Sequence, residues 1–396
     1  MKSKLFLLGI AASIFAACES DDTADIVIND NSVTNNTTGG SGGNETVILT
    51  PGTGSITESL TLESDTEYLI TGATIVASGA VLTIEPGTVI RAEAGPNVYL
   101  AIEQGAQIVA NGTPSSPIIF TSNSSAPSAG DWGGLIVLGR APVNSVTGDA
   151  TATSEIGNLP YGGNVADDNS GVLRYVRVQY SGGAADGQSE NNGFSFYGVG
   201  SGTTVEYIQA FEGDDDGVEF FGGTVNASFV AVVNAADDSI DWTEGYSGTI
   251  TNAYVLQESG IGDEAFECDG FNTDFTNATG LFSNPTVENV TIVSESDDDS
   301  TRGFLLRAGT QGTFTNVLIV GKNTGISVDD DEEATPTSQN IVDGTLSFTN
   351  VTFTEVVANT AIDGGVSTEA DLVSGIGDGT GSDVASWGAG WTVGIN

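Results

Sequence analysis

Between Gly213 and Asp269 one short acidic phrase occurs three times. It reads Asp215-Asp216-Gly217-Val218-Glu219-Phe220, then Asp237-Asp238-Ser239-Ile240-Asp241-Trp242, then Asp263-Glu264-Ala265-Phe266-Glu267-Cys268. Each copy is an acidic pair, a small residue, and an apolar–acidic–apolar alternation. That alternation is the period of a strand with one buried face. Glu219, Asp241 and Glu267 then point outward, and the acidic pairs stand in the turn before each strand. If the copies stack in parallel, about 4.8 Å apart, their carboxylates form columns. Two such charges about 5 Å apart repel by roughly 0.8 kcal/mol in water and ~3 kcal/mol at an effective dielectric of 20. Bound protons relieve that repulsion; so does a hard divalent cation with oxygen ligands, for which extracellular calcium is the candidate. The nine acids Asp215, Asp216, Glu219, Asp237, Asp238, Asp241, Asp263, Glu264 and Glu267 are the candidate ligands. A solvated acidic face screened by salt is the competing reading, because no EF-hand loop or glycine-aspartate nonapeptide array is present.

The same columns suit acid–base chemistry on a glycosidic bond. Such sites place two carboxyl groups about 5–5.5 Å apart for retention or roughly 6.5–9.5 Å apart for inversion. Neighbouring rows give the first spacing and alternate rows nearly the second. Glu219, Asp241, Glu267 and Arg302 are therefore the weak catalytic candidates. Arg302 falls in the slot of Asp216, Asp238 and Glu264, where it most simply pairs with an acid.

What must position these groups follows from the repeat. The phrase returns after 22 and then 26 residues, the mark of a solenoid. The strand slot extends outward to Phe194-Ser195-Phe196, Phe304-Leu305-Leu306 and Ile326-Ser327-Val328. A second series, with Asn252, Asn289, Asn316 and Asn350 in one register and variants at Leu173–Val176 and Val205–Ile208, runs between. Two strand series with one slightly irregular period read as coils of an all-β, parallel β-helix, with the Asn row as an axial amide ladder.

Composition agrees. Of 396 residues, 54 are Gly, which supplies the positive φ of tight turns, and helix-period stripes are nearly absent after residue 20. A net charge of −44 excludes nucleic acid as a partner, since a polyanion needs Lys and Arg, and disfavours docking on anionic lipid. With no His, Ser-His-Asp triads and His-ligated zinc are excluded. Nothing calls for an organic cofactor. Cys268 sits at an inward strand position and reads as a core thiol; no disulfide is expected.

At the N-terminus, Lys2 and Lys4 precede an apolar run, Leu5 to Phe15, too short to span a bilayer. Phe15-Ala16-Ala17-Cys18 resembles the bacterial lipobox, which implies cleavage before Cys18 and a lipid on it. Glu19-Ser20-Asp21-Asp22 behind it looks like the surface-export signal of Bacteroidetes lipoproteins. Residues 18–46 are rich in Asn, Thr, Gly and Ser and read as a flexible tether. Further on, Leu82-Thr-Ile-Glu-Pro-Gly-Thr-Val-Ile90 and Gly105-Ala-Gln-Ile-Val-Ala-Asn-Gly-Thr113 resemble the first coils of secreted bacterial right-handed β-helix proteins of the pectin-lyase-like fold. Polysaccharide lyases on this fold combine calcium with an Arg or Lys base, for which Arg302 and Arg307 are available. No polygalacturonase or pectate lyase signature is present.

The expected organisation is a signal peptide over 1–17, a tether over 18–46, a right-handed β-helix over 47–354 and a C-terminal cap over 355–396. A polar loop over about 139–171 is expected to project from one coil. Trp387 and Trp391 are read as the plug of the open end, and Trp242 as core. Tyr161, Tyr246 and Phe271 are possible sugar-stacking rings. The functional expectation is an outer-membrane surface lipoprotein that acts without catalysis, binding a glycan or another surface component through an acidic, calcium-loaded face. The alternatives are a polysaccharide lyase or glycoside hydrolase using the acidic columns, and a passive surface spacer.

Overall fold

A computed structural model describes residues 46–184, 190–295, 301–330 and 335–395. The signal segment, Cys18 and residues 19–45 of the tether lie outside the described residues, as do Asp297-Asp298-Asp299 and Asp331-Glu332-Glu333.

The three acidic phrases occupy adjacent strands of one parallel sheet. Val218–Phe221 pairs with Ile240–Thr243, which pairs with Glu264–Asp269. This front sheet has 11 strands, from Ser55–Ile56 to Ala358–Ile362. A 15-stranded sheet forms the rest of the wall. The chain is thus a right-handed parallel β-helix, as the repeat implies. In the early coils each turn has three short strands, for example Val81–Ile84, Val89–Ala92 and Leu100–Ile102. From Gly171–Gln179 onward two of the three run together as one long strand.

The long strands bend at one left-handed residue each. These are Tyr175 (φ 50°), Tyr207 (φ 55°) and Phe229 (φ 58°), then Asn252, Asn289, Asn316 and Asn350 (φ 57–61°). Asn tolerates that conformation best among non-glycine residues. The Asn row is real, with Asn316 Nδ2 donating to Asn289 Oδ1 at 2.8 Å. Its upstream members are aromatic: Tyr175, Tyr207 and Phe229 stack at 4.3 and 4.2 Å. Stacking along the axis offsets the cost of a bulky residue at positive φ.

Inside, the alternation holds. Val218, Phe220, Ile240, Trp242, Phe266 and Cys268 are fully buried in one continuous core, with Phe196 stacked on Phe220 at 5.3 Å and Phe266 on Phe304 at 4.7 Å. Cys268 is a free, buried thiol whose pKa burial pushes up.

Two expectations need correction. The loop after Leu138 does not project. It folds down over the outward face of the front sheet and forms a second apolar cluster, in which Val143, Ile156, Leu159 and Tyr161 cover Ile136, Leu138, Tyr197 and Phe221. The outward row is apolar in these coils, and burying it favours the folded-down loop. The second correction concerns the tail. The strands Ala358–Ile362 and Val373–Ile376 pair with the preceding coil, and Leu372 enters the core, so this part does close the end. Trp387 and Trp391 do not plug it. Residues 377–395 run back along the flank: Thr380 meets Asn316, Ser382 meets Thr291, Trp387 lies edge-on to Phe229, and Trp391 lies edge-on to Tyr175 and Tyr207. Arg177 donates to the Trp391 carbonyl at 2.8 Å, and Gln209 bonds Val393 through both side-chain ends. The tail is a strap over the aromatic stack.

Trp391 is fully buried there. Trp391→Ala is expected to cost about 3–5 kcal/mol, read as a lower urea midpoint by circular dichroism. An unchanged midpoint would show that the strap contributes nothing.

Candidate active site

The outward faces of three consecutive front strands meet in one acidic cleft of about 170 Å³. Cross-strand register places Glu219, Asp241 and Glu267 on successive rungs. Asp216 and Asp238 precede Glu219 and Asp241 by three residues, with Asp215 buried and Asp237 exposed beside them. The turn slot is built by side chain to backbone bonds along the axis. Asp216 Oδ1 accepts the Asp238 N–H at 3.0 Å, and Asp238 Oδ1 accepts the Glu264 N–H at 2.7 Å. That contact suits a short side-chain acceptor at these two rungs; at the third, Glu264 pairs with Arg302 instead.

The remaining candidates separate from the cleft. Glu264 is buried and ion-paired with Arg302, and neither Arg302 nor Asp263 lines the cleft. Arg302 occupies the slot expected for it, opposite Glu264. Arg307, one strand on, reaches Glu267 at 2.9 Å and Asp269 at 2.7 Å. Lys322 is buried nearby and donates to the Asp263 carbonyl at 2.8 Å; burial lowers its pKa to about 8.

Three cleft residues were not singled out from sequence. Glu155 comes from the folded-down loop, and Glu190 and Asn192 from the segment before Phe194. Nothing local marks Glu155 or Glu190. Asn192 was legible, because Phe194 aligns with Val218 and so puts Asn192 in the Asp216 slot; its Nδ2 donates to Glu219 Oε2. The three rings expected to stack on sugar do not line this cleft. Tyr161 is buried, donating its hydroxyl to Glu244 Oε1 at 2.8 Å. Tyr246 is buried on Phe220, with its hydroxyl on the Val225 carbonyl. Phe271 is half-buried, edge-on to Phe282.

Electrostatically the cleft holds protons. Burial first, and the neighbouring acids second, push Asp216, Glu219, Asp238 and Asp241 well above the carboxylate range. The same causes, with Glu190 and Asp237 nearest, raise Asp215 to about 8. Glu155 is raised to about 7 by burial and by Glu244. Burial also raises Glu267 to about 7, against the pull of Arg307. Asp241 is 9% exposed, and its Oδ1 has no hydrogen-bond partner among the described residues. Three triads bring carboxylate oxygens within 4.8 Å of one another: Asp215–Asp216–Asp237, Asp216–Glu219–Asp241 and Asp238–Asp241–Glu267.

A carboxyl whose pKa is raised on folding contributes stability below its unfolded pKa, about 4, and loses that contribution as pH rises through the folded value. With folded values reaching about 7 and about 8, the chelator-treated protein is expected to lose stability steadily between pH ~4 and ~8. Asp241→Asn removes one buried proton site, so the variant should melt above the wild type at pH 8 and level with it at pH 4. Parallel profiles for the two proteins would contradict a proton-holding cleft.

No curated protein matches the chain. Among solved structures, the catalytic domain of a GH87 alpha-1,3-glucanase in complex with nigerose is similar at 15% identity and a TM-score of 0.35, over 81% of this chain and 69% of that one. The catalytic unit of a GH87 alpha-1,3-glucanase from Streptomyces thermodiastaticus is similar at 8% identity and a TM-score of 0.32, over 83% and 64%. The Dettilon tailspike protein is similar at 10% identity and a TM-score of 0.26, over 80% and 68%. Likeness at this level speaks for fold alone. The expectation of a non-enzymatic binding module or spacer is nonetheless corrected. The acidic face is a cleft lined by carboxyls that burial pushes toward their protonated forms, not the open, solvated docking surface expected. A family model for the pectate-lyase like beta helix domain matches residues 54–392, and the chain belongs to that family.

Proposed function

We propose that the chain is a glycan-active enzyme that hydrolyses a glycosidic bond in the acidic cleft. One observation carries this: Asp241 and Glu267 lie on adjacent rungs, with oxygens within 4.8 Å of each other, in environments that separate their roles. Asp241 is buried among acids and its Oδ1 has no hydrogen-bond partner among the described residues, which favours the protonated form that can give a proton to a leaving oxygen. Glu267 is gripped by Arg307, which favours its ionised form as nucleophile. That spacing is nearer the retaining than the inverting separation. Glu219, one rung before Asp241 and held by Asn192, adds to the field that holds the proton on Asp241. Lyase chemistry is less well served. A lyase needs a free base, yet Arg302 and Arg307 are tied to acids and Lys322 to a carbonyl.

Calcium remains part of the reading at the rim. The donor set is all oxygen, which suits a hard cation. Two of the triads include Asp241 and so compete with its proton. Asp215, Asp216 and Asp237 would hold the ion without occupying the reacting pair. Bound there, it would supply charge neutralisation to the cleft. A lipid on Cys18 places the enzyme on the outer membrane of a Bacteroidetes-type bacterium, facing outward. The resemblance of residues 15–22 to the lipobox and export signal supports this.

Asp241→Asn and Glu267→Gln are each expected to lower turnover on a cleaved polysaccharide by about 10²–10⁴-fold, with the β-sheet circular dichroism spectrum retained. Retention of the anomeric configuration, followed by NMR, is the expected product outcome. Inversion would instead pair Glu267 with Glu219, two rungs away. Millimolar calcium at fixed ionic strength should raise the melting temperature at pH 8 and not at pH 5, where protons already neutralise the rim. An equal shift with sodium would remove the metal.

A further inference from the structure

On the far edge of the same rungs lies a different surface. A groove of about 410 Å³ opens where the turn after Ile240–Thr243 meets the loop 270–284. It continues around Phe282 and Gln311 into a second hollow of about 230 Å³, edged by Gln339 and Asn340. In a chain with 53 acidic residues, no ionisable side chain among the described residues lines either hollow. The wall is apolar at Leu281, which is 66% exposed, and at Phe282, whose ring borders both hollows. Asn284, Gln311 and Gln339 share the lining with Phe282, the Gln339 amide N–H donating to Asp343 at 2.9 Å. Asp241 in the cleft and Gly245 on the groove wall are four residues apart along one strand and its turn, at most about 13 Å at the rise of a strand.

We infer that this groove is a binding subsite for an uncharged glycan chain, and that the substrate of the cleft is a neutral polysaccharide. An aromatic ring covers the C–H face of a sugar, while amides, each both donor and acceptor, bond its hydroxyls. A uronate or sulfated chain would need a cation here and meets none; the adjacent acids and the net charge would repel it. The inference rests on the reading that the cleft acts on glycans, and it adds the substrate class and a second contact region.

Affinity electrophoresis of the full chain tests it, with dextran, laminarin and xyloglucan as neutral probes and polygalacturonate and alginate as anionic ones. At least one neutral polymer should retard the wild type and Asp241→Asn alike. Phe282→Ala and Gln311→Ala should each weaken that binding about tenfold, the weight of one good contact. Gln311 is half-buried at the rim, so its variant guards against a folding failure at Phe282. Retardation by the anionic polymers only, or equal retardation of wild type and both groove variants, overturns the groove. Turnover of a polysaccharide by a protein whose groove variants keep full affinity overturns the groove and leaves the hydrolase. Groove-dependent binding with no turnover of any bound polymer supports the groove and overturns the hydrolase.

Discussion

Parallel, in-register stacking is the constraint on which the rest depends. Each slot of the coil is repeated about 4.8 Å along the axis, so side chains of one slot meet along the axis. Inside the wall this is favourable, and the rings stack: Phe196 on Phe220, Phe266 on Phe304, Phe314 on Phe348. At the bend it gives the Tyr–Phe–Asn column. Outside, the same rule places Glu219, Asp241 and Glu267 in one file. A column of charges at that spacing, removed from water, cannot stay fully ionised. The proton-holding cleft is therefore a consequence of register as much as of residue type.

Cover decides how strongly the column is perturbed. The front sheet is one surface, but its outward row changes character along the axis. Ile136 and Leu138 are apolar and lie beneath the folded-down loop. The acids follow on the next coils, where that loop ends and contributes Glu155 as a wall. Tyr161 ties the loop to Glu244 from above. The strap does a parallel task on another face, covering the aromatic stack at Tyr175, Tyr207 and Phe229. The loop gives a plain solenoid one walled acidic cleft, beside a groove that no ionisable side chain lines among the described residues.

Arg307 breaks the symmetry of the acids. Without it, three equivalent carboxyls would share protons without assigned roles. Its bonds to Glu267 and Asp269 favour charge at one end of the file, while Asp241, with an unpartnered buried oxygen, keeps a proton. Separated proton affinities in one cleft are what acid–base hydrolysis needs. The fold family by itself supplies no such assignment.

Periodicity was enough to read the β-helix, the inward and outward faces, the rungs Glu219–Asp241–Glu267 and the slot shared by Glu264 and Arg302, because strand alternation and a repeat of constant length are local properties of the chain. The same reading placed Cys268 and Trp242 in the core, where they are. It erred where contacts join segments far apart in sequence. The 139–171 loop reads as polar, yet its scattered apolar residues, Val143, Ile156, Leu159 and Tyr161 among them, find a partner only once the outward row of the neighbouring coils is in place. Trp391 meets Arg177 across more than 200 residues, so no local pattern could direct it to the flank and away from the open end. Glu155 reaches the acids by the same loop. The residue types and their spacing determined that carboxylates would stand in columns. Only the tertiary structure decided that the columns are enclosed, which acid faces a cation, and that an uncharged groove lies beside them, because burial and charge pairing depend on segments that the repeat does not contain.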